Sequence, residues 1–282
     1  MNRVLPAVCL ILALWTVPAA AQSRPLLTED AETVPAGNIL FEAGFDYARD
    51  VQYPVSGLSG NRMSVGTIGF SFGVSSIAEI QIDGTLRDRL AITARNANAP
   101  LAHMVDVAGD STSDFGDLRI GTKVRFAAET ASRPSVALRF ATSLPNASNE
   151  SGLGVDTTNF HFGLALAKTV ESIRLVGNFG FAILPDAVRG DRQNDVIEYG
   201  ASVARAVRPG VEVVGEINGR INTRSGEAIA GTETRSIVRM GARATRGPVR
   251  IDGGLLLGVT EFDPSWGFTT GVTWVFRGFN VP

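Results

Sequence analysis

The chain has 282 residues, of which 44% are hydrophobic and 19% are charged, and its formal net charge is −2. This composition excludes a disordered chain, and the balanced charge excludes a nucleic-acid binder that relies on a basic surface. The single cysteine, Cys9, lies near the start of the chain. The remaining residues therefore cannot form a disulfide or a cysteine-ligated metal site.

The first residues have the pattern of a secretory signal peptide. Arg3 gives a positive start, residues 4–17 are apolar, and small residues occupy positions 19–21. This pattern predicts a signal peptide over residues 1–21. A retained anchor helix is the alternative, although a run of about 14 apolar residues is short for a spanning helix. Outside the inner membrane we expect no ATP-dependent or nicotinamide-dependent chemistry, and no cofactor.

Residues 22–37 contain prolines and no strand period, and we interpret them as an N-terminal periplasmic lead segment. From Asn38 onward, apolar and polar residues alternate, which places successive side chains on opposite faces of a strand. Frequent glycine and β-branched residues disfavour helix. Twelve windows carry this alternation: 38–48, 63–74, 78–87, 116–126, 135–144, 159–167, 173–184, 196–204, 211–221, 234–244, 249–259 and 268–276. The sequence thus predicts an all-β fold over residues 38–282.

The connections between these windows alternate between short and long, and the longest covers residues 88–115. Short turns on one side and long loops on the other are typical of a bacterial outer-membrane barrel. We therefore predict a transmembrane antiparallel up-and-down β-barrel of about twelve strands. An even strand number would leave both termini in the periplasm.

Formal charges in these windows fall on the polar face and not on the apolar face. The charged and histidine residues predicted to line the lumen, the interior of the barrel, are Glu42, Asp46, Glu79, Asp83, Asp117, Arg119, Lys123, Arg125, Arg139, His161, Arg174, Glu198, Glu216, Arg220, Arg235, Arg239 and Arg243. Facing lipid, each Arg or Lys would cost about 2–4 kcal/mol near the midplane. Twelve strands are also too many for a soluble barrel filled by side chains. A soluble two-sheet sandwich is the remaining alternative.

The mixed signs of these charges allow two interpretations. A charged lining sets solute preference in pores, whereas ion pairs between acidic and basic strands would close the lumen. The lumen faces of the second and twelfth windows lack charge and carry small residues, including Gly69 and Gly271. We expect that residues 25–34, with Thr28, Glu29 and Asp30, dock there as a partial plug.

Two further sites remain as alternatives. A lipid hydrolase on the barrel wall would need a serine and a histidine facing lipid, but His161 has lumen parity and His103 lies in the longest loop. A calcium site would use hard oxygen ligands. The acidic residues near that loop that could supply them are Asp106, Asp110, Asp114 and Asp117, but solvated loop carboxylates explain these residues better, and we predict no metal site.

Short motifs along the mature chain resemble a known family. They are Arg24–Ala31 (RPLLTEDA), Phe115–Leu118 (FGDL), Gly121–Lys123 (GTK), Ser143–Pro145 (SLP) and Asn159–Phe160. With these motifs the chain resembles the outer-membrane barrel family named for the MetA pathway of phenol degradation. The resemblance implies a channel-like protein of the outer membrane and a link to aromatic compounds.

We therefore predict a non-enzymatic, porin-like channel in the outer membrane for passive passage of small solutes. The alternatives are a non-conducting structural barrel with a salt-bridged lumen and a barrel-wall lipid hydrolase. Expected partners are outer-membrane lipid, a small-molecule solute and the barrel-assembly machinery, and no nucleic acid. The sequence leaves the solute and the oligomeric state open.

Overall fold

The computed structural model describes residues 23–281. The predicted signal peptide, residues 1–21, lies outside this range. The strands are β1 Asn38–Tyr53, β2 Leu58–Gly73, β3 Ala78–Arg95, β4 Ser111–Asp114, β5 Leu118–Ala127, β6 Ser135–Leu144, β7 Asn159–Val170, β8 Ile173–Pro185, β9 Gln193–Arg208, β10 Val211–Asn222, β11 Arg235–Arg246, β12 Val249–Gly258 and β13 Trp266–Arg277. One 3₁₀ turn covers Ala102–Met104. Within residues 23–281, no helix is long and apolar enough to cross a membrane.

The strands form one closed antiparallel barrel. Consecutive strands are paired except for β4 and β5, and the pairings of β1 with β13 and of β3 with β5 complete the ring. The short strand β4 pairs with the C-terminal end of β3, and β5 pairs with its N-terminal end. β4 and β5 together therefore occupy the place of one strand in the barrel wall. The wall therefore has twelve positions, which confirms the predicted fold class.

The outer surface of this wall is apolar. Phe179, Ile251, Leu255 and Met240 are between 58% and 64% exposed, although they lie in the middle of paired strands. The charged residue Lys123 and its partner Glu79 are fully buried in the interior. An apolar exterior around a polar interior is the arrangement of a membrane barrel, and it excludes the soluble sandwich.

The short connections lie at one rim, which we call the turn rim, and the opposite rim is the loop rim. The connections at the turn rim are residues 74–77, 128–134, 171–172, 209–210 and 247–248. The barrel begins and ends at the turn rim, where Asn38 pairs with Arg277.

The prediction of one long loop over residues 88–115 was wrong at both ends. Residues 88–95 continue β3, and residues 111–114 form β4 against them. The first loop is also a tight turn, 54–57, because β1 and β2 extend toward each other. These extensions carry polar residues, so the hydrophobic alternation that reveals the membrane-crossing part of a strand is lost there.

Candidate functional site

The N-terminal segment, residues 24–36, enters the barrel at the turn rim. The N–H of Gly37 donates to the carbonyl of Gly73 at 2.8 Å, and the N–H of Val34 donates to Glu79. At the other end of the segment, Arg24 Nη2 donates to Thr269 Oγ1 at 2.9 Å on β13. Because these anchors lie on different strands of a closed wall, the segment runs through the interior.

The middle of the segment is held by hydrogen bonds from its own backbone. The N–H groups of Leu27 and Thr28 donate to the Glu216 carboxylate at 2.8 and 2.7 Å. Arg239 Nη1 donates to the same carboxylate at 2.9 Å. One residue further on, the side-chain amide of Asn178 both accepts from the N–H of Glu29 and donates to its carbonyl, each at 2.8 Å. Backbone groups that leave water are thereby satisfied by the wall.

The acidic residues of the segment each pair with cations of the wall. Glu29 lies 3.3 Å from Lys123 Nζ and 3.2 Å from Arg139 Nη2. Asp30 accepts from Arg174 at 2.6 Å, and Glu32 pairs with Arg125. Lys123 also lies 3.0 Å from Glu79, so it joins the segment to β3.

The two acidic groups at the centre of the segment, Glu29 and Asp30, have pKa values below their usual ones. Burial by itself would raise the pKa of Glu29, but the charges of Arg139 and Lys123 outweigh it and lower the pKa to about 2. Burial would also raise the pKa of Asp30. The hydrogen bonds and the charge of Arg174 outweigh burial, so the pKa of Asp30 is lowered as well. Both groups are ionised where the segment is docked.

Small wall residues make room for the segment. Ala31 is fully buried against Ala137, Ala165 and Ala167. At the far end, a Cβ on Gly44 would lie 2.3 Å from the Arg24 guanidinium, and one on Gly271 would lie 2.5 Å from it. Larger residues at these positions would displace the segment.

The structure sorts the predicted lumen residues into three groups. Those that contact the segment are Asp46, Glu79, Lys123, Arg125, Arg139, Arg174 and Glu216. Those bonded to other wall or loop residues are Glu42, Asp117, His161, Glu198, Arg220, Arg235, Arg239 and Arg243. Among residues 23–281, Asp83 and Arg119 have no hydrogen bond or ion pair.

The docking position differs from the predicted one. Two residues of the segment reach β2 and β13: Arg24 bonds to Thr67 and Thr269, and Val34 packs against Val275 at the turn end of β13. Thr28, Glu29 and Asp30 lie against β5, β6, β8, β9 and β10 instead, because the cations and Glu216 on those strands complement the charges and N–H groups of the segment.

Charge counting missed the neutral side chains that hold the segment. Asn178 binds the backbone of Glu29 from both sides, and Gln81 Nε2 donates to the Glu29 carboxylate at 3.3 Å. Both residues occupy lumen-facing positions in the alternation of their strands, and this polar alternation is the sequence signal that identifies them. Arg24 gives no comparable signal, because it lies outside the alternating windows and its partners Thr67 and Thr269 are far from it in sequence.

Two cavities remain beside the docked segment. One, of about 340 Å³, lies against β5–β11, and the other, of about 450 Å³, lies against β1–β3 and the last strands. Leu27, Arg119 and Arg139 border both cavities. The interior therefore has room for small solutes on either side of these three residues.

Two of the acidic residues considered as calcium ligands, Asp114 and Asp117, bind loop backbone instead. Asp114 Oδ2 accepts from the N–H of Ser148 at 2.8 Å, and Asp117 Oδ1 accepts from the N–H of Asn146 at 3.0 Å. They fix the loop after β6 to β4 and β5. Within the described residues, no group of three or more histidine, cysteine, aspartate or glutamate side chains could hold a metal ion.

The structure also brings three residues of the lumen wall into a chain of contacts. Ser143 Oγ lies 3.4 Å from His161 Nε2, and His161 Nδ1 lies 3.0 Å from Glu198 Oε1. His161 is directed into the interior, as its parity predicts, and it lines the smaller cavity. His103 lies in the 3₁₀ turn of the outer loop.

A closed twelve-position barrel with an apolar exterior and a charged interior defines the class: the protein is a β-barrel of the bacterial outer membrane. The chain belongs to the family described as "Putative MetA-pathway of phenol degradation", whose model matches residues 22–281. The resemblance found in the sequence is thereby confirmed. No curated protein sequence matches the chain.

Solved structures share the fold at low sequence identity. An outer membrane channel from Pseudomonas putida F1 is 15% identical, with a TM-score of 0.61, covering 88% of this chain and 98% of that one. The NanC porin is 8% identical, with a TM-score of 0.50, covering 84% of this chain and 98% of that one. The translocator domain of the autotransporter NalP from Neisseria meningitidis is 10% identical, with a TM-score of 0.50, covering 84% and 86%.

Proposed function

We propose that the protein is a channel for passive passage of small solutes, narrowed by its own N-terminal segment. The observation that carries this proposal is the interior: a charged lumen that retains cavities of about 340 and 450 Å³ beside a segment held by ion pairs. Fixed luminal charges select solutes by sign. The family description supports an aromatic compound as the solute, and the Pseudomonas putida protein of the same fold is an outer membrane channel, which supports passage through the lumen.

In this proposal, Thr28, Glu29 and Asp30 act as the plug. Their bonds to Glu216, Lys123, Arg139 and Arg174 close the turn-rim half of the lumen. The turn rim then faces the periplasm, as in other outer-membrane barrels. A solute from outside would reach the cavities first and then the segment.

Liposome swelling tests passage directly. Liposomes containing the refolded mature protein should swell in iso-osmotic solutions of small neutral and charged solutes, whereas liposomes with heat-denatured protein should not. If the refolded barrel is intact and no solute produces swelling, with or without residues 22–34, the channel proposal is wrong and the structural barrel takes its place.

A lumen hydrolase is the second candidate, and the contacts among Ser143, His161 and Glu198 favour it. A serine, a histidine base and an orienting carboxylate are the parts of a nucleophilic triad. We nevertheless propose a non-enzymatic channel, because Ser143 lies in a strand paired on both sides. Its backbone N–H therefore does not form an oxyanion hole of the usual kind.

Hydrolysis of 4-nitrophenyl acetate separates these two candidates. A channel should give the same rate as empty detergent micelles, and Ser143→Ala should change nothing. A rate well above the micelle blank that disappears in both Ser143→Ala and His161→Ala would establish the hydrolase.

A further inference from the structure

Arg119 stands out from the other cations of the lumen. Within residues 23–281 it makes no hydrogen bond or ion pair, and its Nε is buried without a partner. By contrast, Lys123, Arg125 and Arg174 are each paired with a carboxylate of the N-terminal segment. A guanidinium that leaves water without a partner is costly unless an anion completes it.

Arg119 lies where the two cavities meet. Both are bordered by Arg119, Arg139 and Leu27, so a solute that moves from one cavity to the other passes this guanidinium. Arg139 is occupied on one side only, through Nη2 to Glu29, and its Nε is likewise buried without a partner. Both guanidinium groups therefore keep spare donors, although Glu29 pairs with Arg139 and Asp83 lies opposite Arg119 in the pairing of β3 with β5.

The smaller cavity is lined by more arginines than carboxylates, which favours an anionic ligand. Its lining includes four arginines, at positions 119, 139, 220 and 235, and two carboxylates, Glu198 and Asp263. Glu198 is bonded to His161, and Asp263 accepts from the N–H of Ser236 and the hydroxyl of Thr260. Of the arginines, Arg235 donates to a backbone carbonyl, which carries no full charge, and Arg220 donates to two carbonyls and lies 3.9 Å from the Glu233 carboxylate.

The cavity also offers a further group without a partner. Thr28 of the docked segment is only 4% exposed, lines the smaller cavity, and its Oγ1 has no hydrogen-bond partner. Leu27 and Ala141 supply apolar surface in the same cavity. At about 340 Å³, the space is at the lower end of ligand pockets and fits a small organic molecule.

We propose that Arg119, with Arg139 beside it, binds the carboxylate of a small organic monocarboxylate in this cavity, as a selectivity site on the transport path. The planar fork of an arginine matches a carboxylate with two parallel hydrogen bonds. The apolar surface at Leu27 and Ala141 then receives the organic part of the solute. This inference rests on the proposed channel function and names the solute class for it.

Binding of 4-fluorobenzoate, followed by ¹⁹F line broadening with the refolded full mature protein in detergent, tests the site. We expect broadening that excess benzoate reverses, and an affinity at least about tenfold weaker for Arg119→Gln. Arg119→Lys keeps the charge but loses the fork, and it should lie between the two. Arg205→Gln, at an exposed arginine near the turn end of β9, is the matched control and should bind as the wild type does.

Three results would overturn the carboxylate site. One is equal broadening of neutral 4-fluorobenzyl alcohol, which would mean apolar binding only. Another is displacement by sulfate as effective as by benzoate, which would mean general anion binding. The third is no change in Arg119→Gln, with the fold verified by heat-modifiable gel mobility. If liposome swelling persists in these cases, the channel stands and only the site fails; if swelling is also absent, the channel itself fails.

Discussion

At the scale of single residues, the interior depends on a few polar groups that each serve two partners. Glu216 is the clearest case, because its carboxylate accepts from two backbone N–H groups of the segment and from Arg239 on the adjacent strand. Glu212 lies on the same strand but pairs with Arg243 of the wall. Glu216 therefore contacts the segment and Glu212 does not, so Glu212 is the matched control for substitutions of Glu216.

Glu216→Ala should release the segment. Hydrogen bonds to a charged group contribute about 1.5–3 kcal/mol, so we expect docking to weaken by that order. In a Thr28→Cys background, the maleimide labelling rate reports undocking, since Thr28 is buried in the docked segment. Labelling should accelerate in Glu216→Ala and stay slow in Glu212→Ala. Equal rates in both variants would contradict the role assigned to Glu216.

Acid should also weaken docking. Burial opposes ionisation of Glu29, but the charges of Arg139 and Lys123 prevail and bring its pKa to about 2, below the ordinary value of 4.5. Because the pKa of Glu29 is lower in the docked state, ionised Glu29 stabilises docking fully at pH values above its ordinary pKa. This stabilisation is lost as the pH falls toward the lowered pKa. Conductance should therefore rise between pH 5 and pH 2. Glu29→Gln should conduct more at pH 5 and show a smaller rise, whereas an unchanged pH profile would contradict this account.

At the scale of elements, alternation along each strand separates lipid-facing from lumen-facing positions. Neighbouring residues of β9 illustrate this separation: Val203 is 42% exposed on the outer face, and Ser202 lies opposite Glu216 on the inner face. The same parity made all twelve windows predictable from the sequence. The prediction failed at the loop end of β3, where the charged residues Asp88, Arg89 and Arg95 interrupt the apolar alternation of the strand.

An arginine placed at these two positions should have opposite consequences. Val203→Arg places a charge toward lipid and should lower the unfolding free energy by about 2–4 kcal/mol if it lies near the midplane. Ser202→Arg places the same side chain beside Glu216, and the loss should be much smaller. Urea unfolding in lipid vesicles measures both variants. A similar loss for both would mean that the assignment of faces is wrong.

At the scale of the whole molecule, closure of the barrel and docking of the segment differ in how far the sequence predicts them. Alternation, loop lengths and an even strand number predict a closed membrane barrel, since each has a direct physical cause. The segment's position depends on which of several lumen walls offers complementary groups. Glu29 could pair with any luminal cation, and only the folded barrel brings Lys123, Arg139 and Asn178 together around it.

In the channel that we propose, residues 24–36 narrow the lumen. Single-channel recording in planar bilayers, comparing the mature protein with a variant that lacks residues 22–34, measures this narrowing. We expect a small conductance for the mature protein and a several-fold larger, less selective one for the shortened variant. Equal conductance in both, or none in either from correctly folded barrels, would contradict the proposal.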